Sequence, residues 1–224
     1  MLKIDIITLF PKMFENSPLN QSVMWRAQDK GFLEINIVDL KKYGLDERKT
    51  VDDRPYGGGA GMLLRVDVID NALKDLGVKP KTKNQKIIIT DARGETYKQS
   101  KAYEYSKLKR LTIICGHYEG IDHRVHEHLV DDIISIGDYV LTGGEIPAMV
   151  ITDSVTRLIP GVIKDESLKE ESFSMKDDIT TEYPQYTRPP IYNGWNVPDI
   201  LLTGNHPEIE KWRKKNDTIK NLYD

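Results

Sequence analysis

LTIICGHYEGIDHRVHEHLV, residues 111–130, is the stretch whose reading decides the fold. It opens on the β-branched run Leu111–Cys115, turns through Gly116 and Gly120, and passes into helical spacing over 122–130. Strand, open turn and helix in succession form the repeating unit of an α/β sheet, and such sheets bind ligands at the carboxyl ends of their strands, where CGHYEGID (115–122) lies. Working outward, IDIITLF (4–10), LEINIVDL (33–40), KIIIT (86–90) and IISIG (133–137) are further short apolar runs of the kind that form buried strands. Helical periodicity falls between them at 19–29, 66–76, 98–107 and 146–158, so the pattern predicts a largely parallel sheet covered on both faces.

The bulk properties suit one main core with a smaller appended lobe: 224 residues, 39% hydrophobic, 30% charged. No apolar run approaches the roughly 20 residues a bilayer span needs. The opening MLKIDIITLFPKMF carries Asp5 inside its apolar stretch and has no small-residue cleavage site, so a cytoplasmic location is expected. A single cysteine, Cys115, excludes an intrachain disulfide framework and a multi-cysteine zinc site, and it is expected to be buried and inert. A net charge of −3 carries no global nucleic-acid signature. One basic cluster, Lys211, Arg213, Lys214 and Lys215, reads first as the solvated face of a terminal helix beginning near Pro207. After Pro160 the segment KDESLKEESFSMKDDITTEYPQYTRPP (164–190) lacks apolar period and reads as a long loop of the kind that serves as a lid or substrate loop.

Three glycine-bearing segments carry the chemistry. DDRPYGGGAGM (52–62) packs Gly57, Gly58, Gly59 and Gly61 together, where backbone must approach something without Cβ interference. It is neither a P-loop nor a dinucleotide fingerprint, because Met62 stands where the latter needs a glycine, and a nicotinamide dehydrogenase on this strand pattern is thereby disfavoured. CGHYEGID is the second. SIGDYVLTGGEIPAM (135–149), the third, joins Gly137 and Gly143–Gly144 to a helix beginning near Pro147. Each alone is also compatible with an ordinary strand-to-helix turn; three together point to a cradle for an adenosyl-sized ligand. His117, His123, His126 and His128 cluster, but HEHLV lacks zinc-site spacing and His126 and His128 face different sides of a helix. A solvated helix in which Asp122 supports His126 four residues on is the expectation.

The strings ITLFPKMF, VDDRPYGGGAGM, ICGHYEGID, IGDYVLTGGEIPAM, DSVTRLIPGV, YPQYTRP and LLTGNHPEIEKWR, in this order across most of the chain, resemble the bacterial tRNA (guanine-N1)-methyltransferase family. The resemblance implies a trefoil-knotted α/β domain of the SPOUT class over residues 1–163, an interdomain active-site loop over 164–187 and a small helical tRNA-binding lobe over 188–224. It implies S-adenosylmethionine bound in a bent form, a homodimer whose subunits share active sites, and the tRNA anticodon stem-loop as substrate, methylated on N1 of guanosine 37 just 3′ of the anticodon. Carried over by position, Gly116, Ile136, Gly137, Asp138, Tyr139, Val140, Leu141, Gly143, Gly144 and Pro147 match the family's cofactor stretch. Gly58 and Gly59 lie where its first glycine loop nears the methionine portion. Glu119 matches a family carboxylate beside that pocket and Arg157 an arginine that stabilises developing charge.

Two departures stand out. TDARGE (90–95) replaces a proline-glutamine-glycine string and keeps only Gly94 and Glu95 of the pattern. Glu171, in KEESFSM, replaces the aspartate that serves the family as general base, which makes Glu171 the candidate here and Glu170, Asp177 and Asp178 the next carboxylates in the same loop. Magnesium is implied by the family alone, with no ligand set visible. Tyr183, Tyr186, Trp195 and Trp212 offer stacking surfaces or pack their own lobe. The departures leave open a second reading, an RNA-binding member of the same fold that has lost its chemistry.

Overall fold

In the computed structural model the residues described are 1–164, 167–168, 171–173, 180–216 and 218–219. They fall into two compact units, Met1–Ile163 and Lys164–Asp224. The first unit runs β1 (Leu2–Thr8), α1 (Ser22–Asp29), β2 (Leu33–Asp39), a short pair β3 (Asp52–Asp53) and β4 (Leu63–Leu64), α2 (Val66–Asp75), β5 (Gln85–Thr96), α3 (Gln99–Ser106), β6 (Arg110–Cys115), α4 (His123–His128), β7 (Asp132–Ser135) and α5 (Glu145–Thr156).

The expected parallel sheet is present, in the order β2-β1-β6-β5-β7, with every neighbouring pair parallel. Ile6 and Ile7, Ile87, Ile88 and Ile89, and Ile113 and Ile114 are all fully buried, so successive residues pointing to opposite faces are equally covered. On one face Ile7, Ile87, Ile89 and Ile114 pack with Val68, Ile69, Ala72 and Leu73 of α2 and Val125 of α4. Asp5, the charge inside the first apolar run, is wholly buried in β1. It accepts hydrogen bonds from Arg110 Nε at 2.6 Å and Asn36 Nδ2 at 2.7 Å, so it ties three adjacent strands instead of breaking one.

The helices fall close to where periodicity puts them, with two differences. Residues 18–20 form a separate 3-10 turn, because Ser17 caps Leu19 and Gln21 is extended before α1 begins. The reading of α4 as a solvated helix with an Asp122–His126 contact is corrected. Asp122 caps the helix through Arg124, and His126 is buried, with Nε2 3.0 Å from Asp91 Oδ2. Helical spacing alone cannot reveal a partner that arrives from another strand. Cys115 is buried, and burial, reinforced by the charge of Glu145, pushes its thiol pKa up.

Strand order has one consequence for function. Because β5 lies between β6 and β7, the carboxyl ends of all three strands open side by side, and the segment leaving β7 leads straight into α5.

In the second unit, β8 (Thr180–Thr181) pairs antiparallel with β11 (Thr218–Ile219), and β9 (Ile191–Tyr192) pairs with β10 (Trp195–Asn196). The region 164–190 is therefore not wholly loop. Helix α6 (His206–Asn216) starts one residue before Pro207. Trp212 sits 6.4 Å, centroid to centroid, from both Tyr183 and Tyr186, and the Arg213 guanidinium lies over Tyr183. Lys211 pairs with Glu208 at 2.7 Å, as a solvated helix face would. Glu170, Asp177 and Asp178 lie outside the described residues. Among the described residues no helix is long and apolar enough to cross a membrane.

Candidate active site

The site is built where three strand ends meet. Along β5, Ile134 of β7 pairs with both Thr90 and Glu95, so Asp91–Gly94 leave the ladder and return to it. The return needs glycine: a Cβ on Gly94 would stand 2.6 Å from the Ile133 carbonyl. Within this excursion the Asp91 carboxylate faces Arg93 and the buried His126. Burial alone would raise the pKa of Asp91, but hydrogen bonds from the Arg93 side chain and amide and from His126, with the Arg93 charge, outweigh it. The carboxyl is held well below the usual carboxylate range.

The turns after β6 and β7 close against this excursion. The Gly144 amide donates to Gly116 O at 2.8 Å. A Cβ on Gly144 would collide with Thr90 Oγ1 and stand 2.6 Å from the Gly116 nitrogen; one on Gly116 would meet Thr90 O at 3.1 Å. The glycines at these positions are therefore demanded by backbone passing backbone. The first glycine loop docks on the same turn through Glu119 N to Met62 O and Leu64 N to Gly120 O, at 3.1 and 3.0 Å. Here the critical glycine is Gly61, whose missing Cβ leaves room for the Glu119 side chain.

Between these segments lies a cleft of about 530 Å³ lined by Gly116, Glu119, Ile136, Gly137, Tyr139, Val140, Leu141, Gly143, Gly144 and Pro147. His117, Tyr118, His123 and the Asp91–Arg93 edge complete its wall. Of the residues singled out from sequence, Asp138 belongs to the same loop without lining the cleft, and Gly58 and Gly59 are exposed and do not line it. Arg157 stands at the C-terminal end of α5, its amide bonded to Asp153 O. Glu171 belongs to the second unit. Sequence reading passed over Glu145, which is buried at the start of α5 and accepts a hydrogen bond from Thr8 Oγ1 at 2.8 Å. A carboxylate there resembles ordinary helix-start chemistry, and nothing in its spacing announces burial. Among the described residues no group of three or more His, Cys, Asp or Glu is placed to hold a metal ion.

What the cleft offers is shape and backbone polarity in a glycine-walled space at the carboxyl ends of parallel strands, suited to a ligand of nucleoside size. The family model described as tRNA (Guanine-1)-methyltransferase TrmD matches residues 2–223. The chain is 50% identical over 222 residues to the tRNA (guanine-N(1)-)-methyltransferase of Citrifermentans bemidjiense, spanning 99% of this chain and 87% of that protein. It is 51% identical over 223 residues to the Bacillus pumilus protein of the same name, covering 99% and 89% of the two chains. With the Staphylococcus aureus protein of that name identity is 49% over 220 residues, 98% of this chain and 87% of the other. Matched from end to end, with its glycine-built cleft assembled from the motifs quoted above, the chain belongs to the tRNA (guanine-1)-methyltransferase family.

Proposed function

We propose that the protein methylates N1 of guanosine 37 in tRNA, with S-adenosylmethionine as methyl donor. The observation that carries the reading is the cleft itself: three strand-end segments locked on one another through Gly94, Gly116 and Gly144, in a chain about half identical to proteins named for this activity. Close packing of backbone on backbone at these glycines fits a trefoil-knotted SPOUT fold, with residues 1–163 as the cofactor domain. The donor fits on the same ground, since the cleft has nucleoside dimensions and its wall is held together where Gly144 packs on Gly116 and Thr90.

When bound, S-adenosylmethionine supplies a methyl group on a sulfonium, already activated for transfer. The residues must then hold donor and guanine in line and make N1 nucleophilic. Ile136–Leu141 offer backbone groups to the adenine, while Gly143, Gly144 and Pro147 close the wall behind it. Gly58 and Gly59 approach the methionine end. Glu171 takes the N1 proton as general base. Arg157 faces the negative charge that develops on O6, and Glu119 holds the base or the turn that positions it. No step is assigned to magnesium.

The target base must leave its stack, which is easiest in a single-stranded anticodon loop. Exposed Tyr186 and Trp195 of the second unit, the latter 72% accessible, offer stacking faces for the tRNA, with 188–224 as the binding lobe and 164–187 as the active-site loop. Such a substrate places the enzyme in the cytoplasm. A homodimer brings Arg157 and Glu171 of one subunit to the cleft of the other. Incubation with tRNA and isotopically labelled cofactor, followed by mass-spectrometric mapping of bases, should place the label on N1 of guanosine 37. Label at another base overturns the reading, and cofactor binding without any transfer supports the RNA-binding alternative.

A further inference from the structure

Glu145 is the first residue of α5 and only 3% exposed. One carboxylate oxygen, Oε1, accepts from the Thr8 hydroxyl at the end of β1. The other, Oε2, turns toward the cleft wall. It lies 2.5 Å from the point where a Cβ on Gly143 would sit, and His117 Nδ1 lies 3.0 Å from the same point. That ring nitrogen is buried without a hydrogen-bond partner. Gly143 and His117 line the cleft, so Glu145, which does not line it, lies against the glycine of its wall. Among the described residues no cation pairs with Glu145. A helix of this length favours a carboxylate in its first turn, yet a water-shielded negative charge remains costly unless something positive comes near.

We propose that Glu145 is the counter-charge of the cleft, the group that makes it prefer a cationic ligand over a neutral one of the same shape. This rests on the reading that the cleft takes S-adenosylmethionine. Transfer breaks the methyl carbon–sulfur bond, leaves its electron pair on sulfur and forms the bond to guanine N1, whose proton goes to the base. The ligand thereby changes from a sulfonium to a neutral thioether. A fixed carboxylate behind Gly143 holds the first and releases its grip on the second, so it drives donor-for-product exchange. It stabilises the sulfonium before transfer more than during it, and so acts on binding and not on the chemical step.

Isothermal titration of the full chain and of Glu145→Gln with three ligands tests this: S-adenosylmethionine; sinefungin, which carries an ammonium in place of the sulfonium; and neutral S-adenosylhomocysteine. Removing the charge should weaken both cations about tenfold and leave the thioether within about twofold. KM for the donor should rise while the single-turnover rate at saturation does not fall. Equal weakening of all three ligands, or of none, overturns the counter-charge role while leaving the proposed activity intact. Failure of the wild type to bind any of them overturns both. If Glu145→Gln does not fold, the wild type itself decides between 5′-dimethylsulfonio-5′-deoxyadenosine and 5′-methylthioadenosine, which differ by one methyl and one charge. The sulfonium should bind about tenfold tighter, and equal or weaker binding overturns the proposal.

Discussion

Asp91 shows how a charged side chain is held at the edge of the glycine cleft. Its carboxylate is held by Arg93 and His126, with side-chain exposures of 14% for Asp91 and 3% for His126, so the ionised form is favoured in the fold over the unfolded chain. A carboxyl whose folded pKa is depressed contributes stability above its unfolded pKa, and loses it as pH falls toward the folded value. Asp91→Asn should therefore cost about 1–3 kcal/mol in urea denaturation at neutral pH. The gap from wild type should close progressively below about pH 4; a pH-independent gap would show that shape, not charge, is what Asn lacks. Glu171 belongs to the same scale. If it is the base, Glu171→Gln should keep cofactor affinity while single-turnover methylation falls by about 10²–10⁴-fold. Near-normal turnover would move the role to Glu170, Asp177 or Asp178. The two acids also mark what the sequence discloses about individual residues. Glu171 is identifiable because a family motif brackets it. The Asp91–His126 contact joins residues on different elements, and Glu145 hides in a position where any helix tolerates an acid, so neither leaves a local trace.

At the scale of elements, the strands and helices of the first unit were readable because burial on both faces writes itself as unbroken Ile and Val runs, and helices as apolar steps of three and four. The excursion at Asp91–Gly94 was not, since β5 resumes after it and the polar TDARGE resembles a strand end. The glycines divide along the same line. Composition shows that they are many; only packing shows which are irreplaceable. Gly144→Ala drives a Cβ into the Thr90 hydroxyl and into Gly116 N and Cys115 Cα, backbone that cannot give way, and should cost about 1–3 kcal/mol and abolish cofactor binding. Gly58 has φ +84° but nothing within 4 Å of its would-be Cβ. Gly58→Ala should cost only the left-handed strain of about 1–2 kcal/mol and leave a measurable cofactor affinity. Calorimetric melting and titration of both variants separate the cases, and equal loss of binding would mean that the first loop shapes the cleft as tightly as the third.

At the scale of the whole molecule, the surface of α5 is where the proposed homodimer can be tested. Ile146 and Val150, four residues apart on one helix face, are 51% and 43% exposed, and Val140 in the preceding loop is 87% exposed, an apolar row beside the cleft. The proposed two-fold dimer would cover these side chains and bring Arg157 and Glu171 to the other subunit's cleft. Ile146→Glu combined with Val150→Glu should then convert the protein to monomer in analytical ultracentrifugation and remove methylation together with dimerisation. Shared sites make a stricter demand. Gly143→Ala, whose Cβ would press on Glu145 and His117 and displace the cleft wall, and Arg157→Ala, which removes the charge partner, should each be inactive as homodimers. Mixed and allowed to exchange at equal amounts, half of the dimers are heterodimers in which one site draws both intact parts and the other draws both defects, so activity should recover to about a quarter of wild type. If exchange is demonstrated by mass labelling and activity stays at the level of the separate variants, each subunit completes its own cleft, and Arg157 must reach the guanine from the same chain that holds the cofactor.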